Sequence, residues 1–302
     1  MKRKILLIAL CLSLIAGVFT ACDRGGSGDY DGTITVAGKS FTEGQLMAEV
    51  FAQLIEGQTN IRVERVFDLA SRIAFEATVL GDADIYPGYT GSMVMNYLER
   101  ELVPGTPGHE LVAQAQEGIL EVFDLVVMEP MGFQNNFGIA IDRQFAEENN
   151  IRTLSDLAPF TPDMTFGGEH AFFDRPDGFY GMSQAYGFNF ASTLMVDVGL
   201  KYQSFAQGRM DAFNVYTTDS HILEHDIVIL EDDLPFFPVY YFHPVVRRET
   251  LERFPEIGDA LSVLAGVATE SDMVRFNHKV DSGQMRIPDA AAEFIREFGL
   301  LG

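Results

Sequence analysis

Nine consecutive residues, Asp84 to Ser92, combine two tyrosines, two hydroxyl side chains and three turn-forming residues in the order DIYPGYTGS. Apolar residues have helical spacing both before them, at residues 71–81, and after them, at residues 93–98. We therefore expect residues 90–92 at a helix N-terminus, where free backbone N–H groups attract anions. Tyrosine faces beside such a site would suit a zwitterion that carries both a cation and a carboxylate. On this segment alone, a turn at Pro87 with packed tyrosines explains the pattern equally well.

A second candidate is Arg175, which lies in a turn within the aromatic-rich segment FFDRPDGFYG. An arginine in such a place can hold a carboxylate through two parallel hydrogen bonds. The segment alone also fits an ion pair with Asp174 or Asp177 that only organises the loop. Tyr216 lies further along, where a predicted strand runs into a helix start at residues 217–220. Helix capping explains the Thr and Asp residues there, but it does not explain the tyrosine.

The segment HILEH matches the HxxEH pattern of one class of zinc metallopeptidases. In that pattern two histidines bind zinc and the glutamate activates water, so the candidates are His221, Glu224 and His225. A strand is predicted at Ile227–Leu230, which leaves room only for a short helix and hence a poor platform for a metal. A zinc-dependent hydrolase stays open as an alternative of a different class.

Charge and motif content exclude several other classes. The chain has 44 acidic and 21 basic residues and a formal net charge of −23, whereas a protein that binds nucleic acid needs a basic surface. It has no GxSxG nucleophile elbow, and GKS at residues 38–40 lacks the upstream glycine of a phosphate-binding loop. We therefore expect no catalytic residues, no metal, no cofactor and no nucleic-acid partner.

The N-terminus has the features of a bacterial export signal. Basic residues at positions 2–4 precede an apolar run at 5–19, whose length is close to the ~7–15 residues of a signal-peptide core and below the ~20 of a membrane span. Thr20 and Ala21 before Cys22 resemble the lipobox of bacterial lipoproteins. We expect a signal peptide over residues 1–21, a lipid on Cys22 and a flexible tether over residues 22–32. The protein would then lie on the extracytoplasmic face of the cell membrane.

The order of predicted elements indicates two α/β lobes. Strands are predicted at 33–37, 61–67, 84–86, 125–128, 138–141, 164–166, 211–216 and 227–230. Helices alternate with them, one across Val196–Phe205, so each lobe should contain a largely parallel sheet with ligands at the carboxyl ends of its strands. Residues 236–242 lead back from the second set of elements to the first. The predicted boundaries are 33–136 plus 238–302 for lobe I and 137–237 for an inserted lobe II.

Four motifs taken together, in this order, resemble a known family. They are GKSFTE at residues 38–43, DIYPGYTGS at 84–92, RPDG at 175–178 and YTTD at 216–219. They resemble the glycine betaine and related quaternary-amine substrate-binding proteins of ABC transporters, and the likeness covers essentially the whole chain after the signal. It implies a type II fold, similar to that of periplasmic binding proteins, with two lobes joined by hinge strands. Residues 129–137 and 234–240 would be those hinges.

The resemblance also implies a ligand site between the lobes. Carried over by motif, the aromatic box for the ammonium group consists of Tyr89, Phe137, Tyr216 and Tyr240, and the carboxylate grip consists of Lys39, Ser92 and Arg175. Phe137 stands where a tyrosine is usual and Ser92 where a threonine is usual, but a phenyl face and a hydroxyl keep the required chemistry. Strand register decides whether Tyr240 or its neighbour Tyr241 faces the cleft.

The expected protein is a monomeric receptor that delivers its ligand to an ABC transporter permease and catalyses nothing. A trimethylammonium group has no N–H to donate, so aromatic faces within ~6 Å must recognise it. Lys39 and Arg175 favour a ligand with a carboxylate, which points to the osmoprotectants glycine betaine and proline betaine. Choline and carnitine stay open as alternative ligands of the same fold.

Overall fold

The computed structural model of this protein describes residues 30–101, 103 and 105–301. The predicted signal peptide, Cys22 and most of the predicted tether lie outside these residues. Ten strands are described: β1 Gly32–Lys39, β2 Ile61–Leu69, β3 Ile85–Tyr89, β4 Leu125–Val127, β5 Phe137–Asp142, β6 Thr165–Gly168, β7 Ser192–Met195, β8 Ala212–Tyr216, β9 Ile227–Ile229 and β10 Phe242–Arg247.

These strands form two five-stranded mixed sheets in the described part of the chain, with the orders β2-β1-β3-β10-β4 and β7-β6-β8-β5-β9. In the first sheet β1 is parallel to β2 and β3, and β10 is antiparallel to β3 and β4. In the second sheet β6 is parallel to β7 and β8, and β5 is antiparallel to β8 and β9. Each sheet is therefore mostly parallel, as predicted, with one reversed strand. The reversed strand of the second sheet is β5, the first strand after the chain enters that sheet. The reversed strand of the first sheet is β10, the first strand after the chain returns.

The described helices cover both sheets. Their bounds are α1 Thr42–Gln58, α2 Ser71–Leu80, α3 Thr90–Ser92, α4 Gly108–Phe123, α5 Arg143–Asn149, α6 Leu154–Leu157, α7 His170–Asp174, α8 Phe179–Tyr186, α9 Lys201–Ala206, α10 Arg248–Arg253, α11 Glu256–Ser262, α12 Glu270–Asp281 and α13 Ile287–Glu297. A π-helical turn continues α3 over Met93–Tyr97. Short 3-10 helices occur at Ala158–Asp163, Val198–Leu200 and Ser220–Glu224.

Helix α1 is the most deeply packed of these elements. It lies against the first sheet, and eleven of its residues are buried, among them Leu46, Phe51 and Ile55. The return of the chain adds the C-terminal helices around it: the side chain of Gln58 in α1 donates to the carbonyl of Leu300. The C-terminal segment therefore packs on the same core as α1.

Two sequence predictions are wrong in detail. The strand predicted over residues 84–86 does not turn at Pro87, because β3 runs on to Tyr89 and all five of its residues are buried. Pro87 faces Pro244 across the β3–β10 pair, and β10 was not foreseen, so the proline read as a turn signal. The helix predicted across Val196–Phe205 begins only at Lys201 after a 3-10 turn, and the edge strand β7 before it was not predicted.

Two connecting segments run between the sheets side by side. Residues 128–136 lead from β4 to β5, and residues 230–241 lead from β9 to β10. Gln134 and Tyr241 form an antiparallel bridge, and the N–H of Asn135 donates to the carbonyl of Tyr240 at 3.0 Å. Residues of both connections thus lie at the junction of the two lobes, where the candidate site is built.

Candidate functional site

The first part of the site lies at the carboxyl ends of two parallel strands. Lys39 ends β1 and Tyr89 ends β3, so both side chains emerge at one edge of the first sheet. Lys39 is 2% exposed, and its Nζ lies 4.3 Å from the ring centroid of Tyr89. The Tyr89 hydroxyl donates to Oε1 of Glu43, which lies in the first turn of α1, at 2.6 Å. A cation, an aromatic ring and a carboxylate therefore meet at this edge.

Glu43 connects this edge to the rest of the site. Its oxygens accept hydrogen bonds from Asn135 Nδ2 at 3.0 Å and from Asn277 Nδ2 at 3.2 Å. Asn277 also donates to the carbonyl of Thr218, which follows β8 of the second sheet, at 2.9 Å. Burial raises the pKa of the Glu43 carboxyl, and these donors oppose the effect. Burial lowers the pKa of Lys39 to about 7, although the charge of Glu43 acts in the opposite direction.

The second part of the site is a cluster of aromatic rings around Arg175. Phe137 begins β5 and lies directly opposite Tyr216, the last residue of β8. The ring centroid of Phe137 is 5.1 Å from that of Tyr216 and 5.9 Å from that of Tyr240. The guanidinium carbon of Arg175 lies 5.2 Å from the Phe137 centroid. Phe137 thus contacts two other predicted box residues, Tyr216 and Tyr240, and Tyr89 belongs to the first part of the site.

Arg175 has its own acidic partner. Its Nε and Nη2 donate to the two carboxylate oxygens of Asp177 at 2.8 and 2.7 Å, and Nη2 also donates to the Tyr240 hydroxyl at 2.6 Å. The ion pair that the sequence left open is therefore present with Asp177, while Asp174 is exposed. Within the described residues Nη1 donates to no protein acceptor, so one edge of the guanidinium keeps its donors.

Hydrogen bonds connect the two parts. Tyr216 is also one of the groups that raise the pKa of Tyr89, after burial and Glu43. Asn135 links the two parts, because its side chain donates to Glu43 and its backbone N–H donates to Tyr240.

The structure distinguishes Tyr240 from Tyr241. Tyr240 is 4% exposed and lies against Gly91, where an added Cβ would stand 2.4 Å from the ring. Tyr241 instead lies against Gly108 at the start of α4. The ring of Tyr240 is therefore the one beside Phe137 and Arg175.

The helix start at residues 90–92 differs from its prediction as an open anion site. Helix α3 has only three residues, and the backbone N–H of Thr90 donates to the carbonyl of Tyr241 at 3.0 Å. The Thr90 hydroxyl donates to the carbonyl of Val239 at 2.7 Å. Ser92 is partly exposed, and no described residue accepts or donates a hydrogen bond at its hydroxyl. Of the three predicted grip residues, Lys39 and Arg175 therefore contact aromatic rings of the site. Ser92 makes no described side-chain hydrogen bond to the other site residues.

Sequence reasoning missed the acidic layer behind the rings. The Tyr216 hydroxyl donates to Oε1 of Glu169, and Lys201 Nζ donates to Oε2 of the same carboxylate at 3.3 Å. Glu169 is 2% exposed and Lys201 is fully buried. Glu43 and Asp177 were visible, since they lie inside the GKSFTE and RPDG motifs. Glu169 and Lys201 belong to no motif, and only the packing of β6 and α9 brings them to Tyr216.

The histidine pattern does not form a metal site. Residues Ser220–Glu224 form a 3-10 helix, in which residues i and i+4 do not share a face, and His225 lies beyond its end and stacks on Tyr202. Glu224 lies 3.4 Å from His221 and 3.4 Å from His278 of α12. No group of metal-binding side chains is found in the described part of the chain. These residues connect the two lobes instead.

Two mixed β-sheets flanked by helices and joined by paired connections, with aromatic rings and two cations at the junction, define a two-lobed solute-binding protein. Residues 32–297 match the family described as the substrate binding domain of an ABC-type glycine betaine transport system, and the chain belongs to that family. The chain is therefore a substrate-binding receptor and not an enzyme, and the zinc-hydrolase alternative is not supported.

Curated relatives agree with this assignment. The chain is 30% identical to the glycine-betaine-binding protein of Pseudomonas aeruginosa, over 98% of this chain and 96% of the relative. It is 28% identical to the carnitine transport binding protein OpuCC of Listeria monocytogenes, over 98% and 97%. It is 32% identical to the ergothioneine transport permease/ergothioneine binding protein EgtU of Helicobacter pylori over 88% of this chain, which corresponds to 48% of that relative. The chain thus spans about half the length of the Helicobacter protein.

Solved structures show the same fold. A crystal structure described as a glycine betaine/carnitine/choline ABC transporter matches with a TM-score of 0.77 and 26% identity, over 89% of this chain and 100% of that chain. Apo YehZ from Escherichia coli matches with a TM-score of 0.70 and 21% identity, over 89% and 99%. At the latter identity the likeness concerns the fold alone.

Proposed function

We propose that this protein captures a compact zwitterionic quaternary amine, glycine betaine or proline betaine, between its two lobes and delivers it to an ABC transporter permease. One observation carries the proposal: aromatic rings from both sheets lie near the junction of the lobes together with the buried Lys39 and the partly buried Arg175. Lys39 and Tyr89 come from the first sheet, Phe137 and Tyr216 come from the second, and Arg175 lies over Phe137.

The aromatic rings supply the ammonium half of the site. A trimethylammonium group gains ~0.5–2 kcal/mol from each ring face within ~6 Å, with the larger values where water is excluded. The rings of this cluster already lie against cations of the protein, since Lys39 is 4.3 Å from Tyr89 and Arg175 is 5.2 Å from Phe137. Phe137, Tyr216 and Tyr240 lie close enough to one another to form adjoining walls. The predicted box of Tyr89, Phe137, Tyr216 and Tyr240 remains our proposal for the ammonium site.

The two cations supply the carboxylate half. Lys39 is buried, and within the described residues no oxygen accepts a hydrogen bond from its ammonium group. A buried charge without such a partner is costly, so a ligand carboxylate would stabilise it. Arg175 can offer Nη1, which Asp177 leaves free. We propose Lys39 and Arg175 as the main carboxylate ligands and Ser92 as a hydroxyl donor at the edge of the site.

Relatives narrow the chemistry of the ligand without fixing its identity. Those described above are named for glycine betaine, carnitine and ergothioneine. All three compounds carry a trimethylammonium group and a carboxylate, and the proposed site has aromatic rings for the first and cations for the second. Choline carries the ammonium group without the carboxylate, so the site should prefer the zwitterions.

The cellular setting is also a proposal. We propose that residues 1–21 direct export, that Cys22 carries the lipid and that residues 22–32 tether a monomeric receptor outside the cytoplasmic membrane. None of the described helices combines the length and the apolar character needed to span a bilayer. Lobe I would comprise residues 33–136 and 238–302, and lobe II residues 137–237. Closure would then occur at the connections near residues 129–137 and 234–240.

Calorimetric titration with glycine betaine, proline betaine, carnitine, ergothioneine and choline tests the proposal. We expect one ligand per chain, with glycine betaine or proline betaine the tightest and choline at least tenfold weaker. Binding of choline as tightly as either betaine would contradict the carboxylate half of the site. No heat and no thermal stabilisation with any of the five would contradict the proposed function itself.

A further inference from the structure

Each tyrosine of the proposed aromatic box donates its hydroxyl to a buried carboxylate. The pairs are Tyr89 with Glu43, Tyr216 with Glu169 and Tyr240 with Asp177. The three carboxylates are only 2%, 2% and 3% exposed. Burial is the main cause that raises the pKa of all three tyrosines well above 10, so their hydroxyls stay protonated at neutral pH. Three repeats of one costly arrangement around one site call for a common explanation.

A cation of the protein completes each pair, and the clearest case is Lys201. Its Nζ lies 3.3 Å from Oε2 of Glu169 and 5.2 Å from the ring centroid of Tyr216. Glu169 therefore contacts both the hydroxyl of the ring and the cation beside the ring. Without this carboxylate, the uncompensated charge of Lys201 beside the Tyr216 ring would repel the ammonium group of a ligand.

The other two tyrosines repeat this arrangement. Arg175 pairs with Asp177 at 2.7 Å, and its guanidinium carbon lies 5.8 Å from the ring centroid of Tyr240. Lys39 lies over the third ring, and Glu43 is the charge that raises its pKa against the effect of burial. Glu169 and Asp177 thus form ion pairs with the cations beside their rings, whereas Glu43 only partly offsets the effect of burial on Lys39.

A hydroxyl that donates to a carboxylate also makes its ring a better partner for a cation, because the negative charge strengthens the negative face of the ring. The carboxylates therefore act in two ways, on the fixed cations and on the rings themselves. A site that recognised only shape and apolar surface would gain nothing from either effect, because an uncharged group of the same size would fill it equally well.

On the basis of the proposed function, we propose that Glu43, Glu169 and Asp177 are specificity-determining residues. They offset the fixed cations and strengthen the negative potential at the faces of the tyrosine rings. The box therefore selects a quaternary ammonium over an uncharged group of the same shape. They need not touch the ligand, and their effect should therefore depend on the charge of the ligand and not on its size.

Glu169→Gln is the sharpest test, because neither Glu169 nor Lys201 belongs to the proposed carboxylate grip. Calorimetry would compare glycine betaine with 3,3-dimethylbutanoate, in which a carbon replaces the ammonium nitrogen, using competition against betaine for the weaker ligand. We expect about a tenfold loss of affinity for betaine and less than a twofold change for the isostere. The double variant Glu169→Gln/Lys201→Met removes the uncompensated cation and should recover most of the loss.

Glu148→Gln is the matched control, since it removes a carboxylate from the exposed face of α5 in the same lobe and should change neither affinity. If Glu169→Gln does not fold, Asp177→Asn provides the same comparison of the two ligands. Equal losses for betaine and its isostere, or no recovery in the double variant, would overturn this inference while leaving the proposed function intact. A wild-type protein that binds no betaine would overturn both.

Discussion

The ammonium group of Lys39 lies 4.3 Å from the centre of the Tyr89 ring, and no oxygen of the described residues accepts a hydrogen bond from it. Both residues end parallel strands of the first sheet, so the backbone fixes this approach. Burial explains why the pKa of this lysine falls from 10.5 to about 7, although the charge of Glu43 opposes the fall. A ligand carboxylate would be the missing partner, and its arrival should return the lysine to its charged form.

Betaine affinity should consequently depend on pH above neutrality. Lys39 is protonated below its pKa of about 7 in the free protein, and a bound carboxylate raises that pKa, so binding takes up a proton as the pH exceeds 7. We expect affinity to fall about tenfold between pH 6 and pH 8, with net proton uptake in buffers of different ionisation enthalpy. Lys39→Met should bind weakly and show no such dependence. A wild-type affinity that is constant over this range would mean that Lys39 does not hold the carboxylate.

Arg175 should affect zwitterions and choline differently. Arg175→Ala removes the free Nη1 donors and also leaves Asp177 without its cation. For glycine betaine we expect a loss of at least ~1–3 kcal/mol, or roughly ten- to a hundredfold in affinity. Choline has no carboxylate and should lose far less. Calorimetric titration of both ligands decides the matter, and equal losses would show that Arg175 does not grip the carboxylate.

Tyr216 should reveal the difference between a ring face and a hydroxyl. Tyr216→Ala removes a wall of the proposed box and should cost ~1–3 kcal/mol of betaine binding. Tyr216→Phe keeps the ring, so affinity should change by no more than about threefold. It leaves Glu169 one donor short, however, and the free energy of unfolding should fall by ~1–3 kcal/mol. Chemical denaturation measures the second effect, and a Phe variant as weak in binding as the Ala variant would contradict the role of the ring.

Betaine binding should require a glycine at position 91, because the Tyr240 ring packs directly against it. A Cβ at this position would stand 2.4 Å from the Tyr240 ring, so Gly91→Ala must displace that ring or the start of α3. We expect a loss of betaine affinity of about tenfold or more. Gly258→Ala is the matched control, because its Cβ would meet only Leu251 at an ordinary 3.6 Å in a helix. Unchanged betaine affinity in Gly91→Ala would show that Tyr240 is not part of the ligand site.

The sequence carried most of the fold but not its reversed strands. Alternating strands and helices predicted two α/β lobes, and the order of elements placed the second inside the first. Strand β10 escaped because its residues, FHPVVR, follow an aromatic-rich segment and contain Pro244. Its partner β3 was therefore predicted to end at residue 86, since Pro87 is a turn signal unless another strand lies opposite.

The candidate site was predictable where chemistry lay within motifs. Lys39, Tyr89 and Arg175 could be named because the motifs around them are specific in combination. Glu169 and Lys201 could not, because they are distant in the sequence from Tyr216 and meet it only through the packing of the second lobe. The choice between Tyr240 and Tyr241 also required the structure, since alternate residues of an extended segment point to opposite sides.

A crystal structure of the protein with glycine betaine bound would test the central claim most directly. We predict that the trimethylammonium group lies within ~6 Å of the rings of Tyr89, Phe137, Tyr216 and Tyr240. The ligand carboxylate should lie within hydrogen-bond distance of Lys39 Nζ and Arg175 Nη1, ~2.7–3.2 Å. A ligand bound outside the junction of the two lobes, or with its carboxylate turned away from both cations, would contradict the account.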